Sequence, residues 1–228
     1  MPELRTPSTS SKEKALALIR ETVVIPVVRV ATREQAMCAV EGISAAGIGI
    51  VEITLTVPGA LEIITEITRT YGERLLVGAG TVLDAENCRL AALAGAEFIV
   101  SPGFDARVIE MAHHHGKACI PGALTPTEVL AAWRAGGDLI KIFPCGSVGG
   151  PAYIRSLKGP FPQIEVVVSG GVNLENIAPF LAAGAKAVAV GELIFEAEAI
   201  RNGRTDRISE NARKFVEAVR AARVSLSE

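Results

Sequence analysis

Two ionisable residues sit inside apolar runs that read as strands. Residues 139–146 are "LIKIFPCG" and residues 50–56 are "IVEITLT", with Lys141 interrupting one run and Glu52 the other. Charged side chains are almost never fully buried unless paired, and an isolated ammonium in a low-dielectric interior is costly. An amine and a carboxylate in one protected space are the equipment of Schiff-base chemistry. The amine attacks a carbonyl only when neutral, and the reference lysine pKa of about 10.4 leaves it protonated at neutral pH. Apolar surroundings favour the neutral form. A neighbouring carboxylate opposes that effect, yet it can carry the protons that a carbinolamine gains and loses. The competing reading is a structural ion pair, although buried pairs add little net stability over apolar residues.

The elements that must position these groups follow from periodicity. Eight short apolar runs recur: 23–30, 48–56, 75–82, 98–103, 118–123, 139–144, 165–171 and 187–194. Each meets Gly, Pro, Ser or Thr at its end, as strands covered on both faces do. Between them lie helical patterns with start and stop signals. Thr32 and Gly47 bound one, Asp84 and Gly95 another, Thr125 with Pro126 and Glu128 opens a third, and Asn173 opens a fourth that contains Pro179. Eight strands alternating with helices predict an α/β fold, a single (β/α)8 TIM-type barrel. A helix near residues 12–20 would cover its bottom. The expected organisation is a flexible tail over 1–11 and one barrel over 12–228. A doubly wound open sheet is the alternative, and the first βα unit lacks the GxGxxG of its dinucleotide-binding form.

In such barrels chemistry sits at the carboxyl ends of the strands. Those ends offer Arg29, Glu52, Thr54, Thr56, Thr81, Pro102, Lys141, Phe143, Ser169, Gly170, Gly171 and Glu192. Side chains alternate along a strand. Glu52, Thr54 and Thr56 therefore share one face, and Leu139, Lys141 and Phe143 share another. With Val51, Ile53, Ile140 and Ile142 turned to the helices, Lys141 and Glu52 point into one barrel, with Arg29 and Thr81 near its rim.

Composition narrows the function classes. The 228 residues are 49% hydrophobic and 21% charged, with a formal net charge of −2. Basic residues are scattered and aromatics few, which argues against nucleic-acid binding. No apolar run reaches the roughly 18 residues of a membrane span. Cys38, Cys88, Cys119 and Cys145 have no metal-type spacing and read as reduced thiols of a cytoplasmic protein.

The ordered motifs "VEITLTVPGA", "VGAGTV", "EFIVSPGF", "IPGALTPTE", "LIKIFP", "LKGPFPQI", "SGGVNLENI" and "AVAVG" resemble those of the 2-keto-3-deoxy-6-phosphogluconate (KDPG) / 4-hydroxy-2-oxoglutarate (KHG) aldolase family. The resemblance runs from about Val23 to Ala222. It implies a class I aldolase on a (β/α)8 barrel, usually a homotrimer, with no metal or other cofactor. Its substrates would be 4-hydroxy-2-keto acids, cleaved to pyruvate and an aldehyde, either glyceraldehyde 3-phosphate or glyoxylate. It implies that Lys141 is the Schiff-base lysine and Glu52 the proton shuttle. Thr81 and Arg29 would hold the pyruvate carboxylate, Pro102 and Phe143 would line the pocket, and Ser169 would contact substrate hydroxyls. Thr56 stands where some members have arginine. Glu192 stands where many have the serine that binds phosphate together with the paired glycines. Amides of Gly170 and Gly171 can receive an anion, but a carboxylate beside them repels a phosphate dianion unless it turns away or pairs.

Other readings stay open here. They are an aldolase for an unphosphorylated or epimeric keto sugar acid, a phosphosugar isomerase or epimerase, and a keto-acid-binding barrel without activity. The run His113–His115 reads as a surface or helix-cap feature, since consecutive helical residues diverge in direction. Cys145 reads as a packed thiol, Lys158 as a surface or subunit-contact residue at a helix end, and Trp133 as a packing residue.

Overall fold

The computed structural model describes residues 10–227. Of the expected tail, residues 1–9 lie outside the described residues, whereas Ser10 and Ser11 already belong to a helix and its cap. That helix, α1 (Ser11–Thr22), opens with a reciprocal capping box. The Ser10 side chain accepts from the Glu13 amide, and the Glu13 carboxylate accepts from the Ser10 amide.

Strands and helices then alternate: β1 (Val24–Val28), α2 (Arg33–Ala45), β2 (Ile50–Thr54), α3 (Ala60–Tyr71), β3 (Leu76–Gly80), α4 (Ala85–Leu93), β4 (Phe98–Val100), α5 (Ala106–His114) and β5 (Ala118–Ile120). They continue with β6 (Gly122–Ala123), α6 (Pro126–Arg134), β7 (Ile140–Ile142), α7 (Pro151–Lys158), β8 (Val166–Ser169), α8 (Ile177–Ala182), β9 (Ala185–Val190), α9 (Ala197–Arg201) and α10 (Thr205–Ser227). The capping residues expected from the sequence cap: Thr32 accepts from the Gln35 amide, Asp84 from Asn87 and Thr125 from Glu128.

The strands pair in parallel in the order β5-β4-β3-β2-β1-β9-β8-β7-β6. The two ends of this list, β5 and β6, are consecutive pieces of one strand separated only by Pro121. The sheet therefore closes on itself, and the nine assigned strands occupy eight barrel positions. A proline cannot donate to a ladder, which explains the interruption that the run 118–123 did not reveal. Its carbonyl still takes part, accepting from the Lys141 amide at 2.9 Å. The closed, sequential order excludes the doubly wound alternative.

Strand residues are buried almost without exception, and the helices supply a second apolar layer that includes Ile43, Ile63, Ile64, Ile67 and Phe180. Lys186 is the exception within β9. It sits at a register shift, where Val166 pairs with Ala185 and Val167 with Ala187, and the irregularity turns its side chain out to solvent. Below the barrel, α1 is held by Lys12 to Asp138 at 2.6 Å, and Asp138 also meets His113 at 3.0 Å. His113 is thus a partner of this ion cluster, not simply a surface residue.

Two further local expectations change. The helix foreseen from Asn173 starts only at Ile177, after a turn in which the Asn173 side chain accepts from the amides of Glu175 and Asn176. Pro179 falls in the first turn of this short helix, where no intrahelical donor is needed. Trp133 is 41% exposed on α6 and does not pack inside.

Candidate active site

Register places Lys141 and Glu52 on the same face of the sheet. Glu52 lies beside Val27, and Ile25, two residues earlier, lies beside Ala189. Ala189 pairs with Ser169, and Val167, two residues before Ser169, pairs with Lys141. Neighbours in register point the same way, as do residues two apart on a strand. The shared face is the barrel interior. Glu52 is 1% exposed and Lys141 7%. Among the described residues the two form no ion pair, so the structural-pair reading is not what the geometry holds.

Glu52 is instead a carboxylate with an oxygen in reserve. Its Oε1 is buried and has no hydrogen-bond partner among the described residues. Unpaired buried polar atoms are rare, and one in a site calls for an explanation in chemistry. Its room is made by Gly80, where an added Cβ would lie 1.9 Å from Oε1. A glycine within a strand marks such a close approach. That signal was present in "VGAGTV", but it does not say which side chain approaches.

Lys141 Nζ lies 5.4 Å from the centroid of the Phe143 ring, so the two residues share a face as the alternation predicts. The segment carrying Phe143 is tied to the end of β8. The Cys145 amide donates to the Ser169 carbonyl and the Gly146 amide to the Gly170 carbonyl, both at 2.9 Å. Gly170 and Gly171 adopt φ of 81° and 79°, and a Cβ on Gly171 would meet Gly146 Cα at 2.9 Å. Both conformation and space thus demand the glycine pair. Cys145 beneath is fully buried, and burial pushes its thiol up to about 11.

Arg29 reaches across the mouth to β2 and β3. Its Nη1 donates to Thr56 Oγ1 at 3.1 Å and its Nη2 to Thr81 Oγ1 at 2.9 Å. Thr81 has φ 57°, an uncommon conformation for a β-branched residue and one that clusters at functional sites. Pro102 is half-buried, and its carbonyl carbon would lie 2.2 Å from a Cβ on Gly122. Ser169 is buried at the end of β8. Glu192, one residue beyond Gly191 at the end of β9, is exposed and makes no hydrogen bond or ion pair among the described residues. The mouth therefore has a cation at the β1 side and a bare carboxylate at the β9 side.

Two other features lie apart from this cluster. Lys158 donates to the Pro162 and Ile164 carbonyls, closing the turn after α7. Among the described residues no three His, Cys, Asp or Glu side chains are grouped as a metal site would need.

Residues 16–211 match the family model for KDPG and KHG aldolases. The 2-dehydro-3-deoxy-6-phosphogalactonate aldolase of Escherichia coli is 36% identical over 199 residues, spanning 87% of this chain and 95% of that protein. The 2-dehydro-3-deoxy-phosphogluconate aldolase of Treponema pallidum is 33% identical over 196 residues, spanning 86% and 93%. Among solved structures, the KDPG aldolase of Legionella pneumophila, with pyruvate captured as a covalent carbinolamine, superposes with a TM-score of 0.80. It is 29% identical, spanning 86% of this chain and 95% of that one. The barrel closure, the buried lysine and carboxylate on one face, and these likenesses lead to one assignment: the chain belongs to the KDPG and KHG aldolase family.

Proposed function

We propose that Lys141 is the Schiff-base nucleophile and Glu52 the proton shuttle. The enzyme is a lyase, a class I aldolase that cleaves a 4-hydroxy-2-keto acid of the KDPG or KHG kind to pyruvate and an aldehyde. The observation that carries the residue assignment is the buried, unpartnered Oε1 of Glu52 on the same inner face as Lys141.

Lys141 attacks the C2 ketone, and Glu52 moves protons as the carbinolamine forms and loses water. The protonated imine draws electrons from C3. Glu52 takes the C4 hydroxyl proton, the C3–C4 bond breaks, and the aldehyde leaves. The enamine of pyruvate gains a proton at C3 and is hydrolysed from Lys141. Arg29 and Thr81 hold the carboxylate, which aligns the scissile bond with the imine π system. Phe143 and Pro102 wall the pocket. Ser169 takes substrate hydroxyls, the amides of Gly170 and Gly171 take the distal end, and Glu192 borders it. Thr56 belongs to the same pocket through Arg29.

The enzyme acts without a metal or other cofactor in this scheme, since the lysine supplies the electron sink. We further assign it to a homotrimer in the cytoplasm, on the family likeness. The four cysteines, all free, support a reducing compartment. No helix of the described residues is long and apolar enough to cross a membrane.

The test is incubation with pyruvate and borohydride, followed by peptide mapping. An adduct of reduced pyruvate on Lys141 is expected, with none in Lys141→Met. An adduct elsewhere, or none in the wild-type protein, would sink the assignment.

A further inference from the structure

The arginine at the mouth is held by a hydrogen-bond chain that has one possible direction. Thr54 Oγ1 lies 3.0 Å from the Val28 carbonyl oxygen, which can only accept. Thr54 therefore donates its single hydroxyl hydrogen there. Thr54 Oγ1 and Thr56 Oγ1 are 2.8 Å apart. Thr54 has no hydrogen left for this contact, so Thr56 is the donor. The Thr56 hydrogen is then committed as well, and its oxygen accepts from Arg29 Nη1 at 3.1 Å. The order is Arg29 to Thr56 to Thr54 to the Val28 carbonyl. On its other side Arg29 Nη2 donates to Thr81 Oγ1 at 2.9 Å. That contact uses only an oxygen lone pair of Thr81 and leaves its hydroxyl hydrogen for a ligand oxygen.

We propose that Thr54 is a positioning residue for substrate binding, acting through Thr56 to hold Arg29 in place. It also sets the chain's polarity, so that Thr56 serves the arginine and Thr81 alone of the three threonines donates to the substrate. Thr54 is 0% exposed and so acts only through its neighbours. The Val28 carbonyl that ends the chain belongs to β1, one residue before Arg29 itself. The chain is therefore a closed loop between β1 and β2, which pair with Val28 beside Ile53. The guanidinium is anchored to the same backbone that carries it, and its direction is fixed before any substrate arrives. The inference rests on the reading that Arg29 binds the keto-acid carboxylate.

Its test uses pyruvate as probe, because pyruvate carries that carboxylate and needs no knowledge of the aldehyde. The readouts are the pyruvate concentration that half-saturates borohydride inactivation and the inactivation rate at saturation. Thr54→Val keeps shape and removes the hydroxyl. It is expected to raise the half-saturating concentration about five- to tenfold, the effect of about one hydrogen bond, with the saturated rate within about twofold. Thr54→Ser restores the wild-type value. Thr56→Val, at the exposed mouth where folding is not at stake, gives the same rise as Thr54→Val, and the double variant is no worse than either alone. Arg29→Gln gives a larger rise than any of these. A raised value in Arg29→Gln with a normal one in Thr54→Val overturns the positioning role alone. An unchanged value in Arg29→Gln overturns the carboxylate reading, and the inference with it. A saturated rate that falls as far as the affinity, or a Thr54→Ser variant as poor as Thr54→Val, also overturns it.

Discussion

Gly78 and Gly80 sit two residues apart on β3 and face the same side, yet they make room for opposite things. A Cβ on Gly78 would meet three ring atoms of Phe98 at 2.2–2.4 Å, and Phe98 is fully buried. A Cβ on Gly80 would meet Glu52 at Oε1, Cδ and Cγ. One glycine admits an aromatic ring that fills the barrel, and the other admits a carboxylate that leaves an oxygen unpaired. On the proposed mechanism the interior thus changes from packing to chemistry within a single two-residue step. The same small residue serves both layers, because what each needs is the absence of a methyl group.

A methyl group added at either glycine separates the two roles. Gly80→Ala displaces the Glu52 carboxylate, which moves by rotation about its own torsions. Turnover is expected to fall about a hundredfold or more, the usual worth of a positioned general acid–base group, while the melting temperature stays near wild type. A coupled pyruvate assay beside a thermal melt measures both, and unimpaired turnover would mean that Glu52 is not the shuttle. Gly78→Ala meets a ring that has nowhere to go. It is expected to cost about 1–3 kcal/mol by overpacking, or roughly 2–4 °C of melting temperature per kcal/mol in a chain of this size. Turnover at 25 °C should be retained. Loss of turnover without loss of stability there would place Phe98, too, in the chemistry.

The smallest effect concerns the thiol under the upper layer. With its pKa raised to about 11, Cys145 is the neutral thiol throughout the working range and titrates only in strong alkali. At pH 8 about one molecule in a thousand carries the reactive thiolate. Iodoacetamide at that pH should leave turnover unchanged and modify the less buried Cys38 first. Rapid inactivation through Cys145 would move it from packing to the site.

Much of this was readable from residue order. Continuous apolar runs gave the strands, because a parallel sheet is covered on both faces, and alternation within "VEITLT" and "LIKIF" placed Glu52 and Lys141 inside. Other features depend on contacts between segments distant in sequence. The unpaired state of Glu52 Oε1 becomes visible only when Gly80 is beside it. The Val28 carbonyl that accepts from Thr54 lies on a different strand. Trp133 reads as packing because tryptophan usually buries area, but on α6 it stays 41% exposed. The helix after Asn173 looked long because its polar turn and its helical part form one pattern, whereas the turn is closed by the asparagine side chain itself.

The seam at Pro121 has a consequence for the newly made chain. Arg29, Glu52 and Thr81 come from the first three strands, whereas Lys141 and Ser169 come from strands on the far side of the seam. The Lys141 amide is itself hydrogen-bonded to the Pro121 carbonyl at the seam. No half-barrel can therefore hold Lys141, Glu52 and the Arg29–Thr81 pair together. On the proposed mechanism a chain stalled before Lys141 traps no pyruvate, and the appearance of pyruvate-trapping activity would date the closure of the ring.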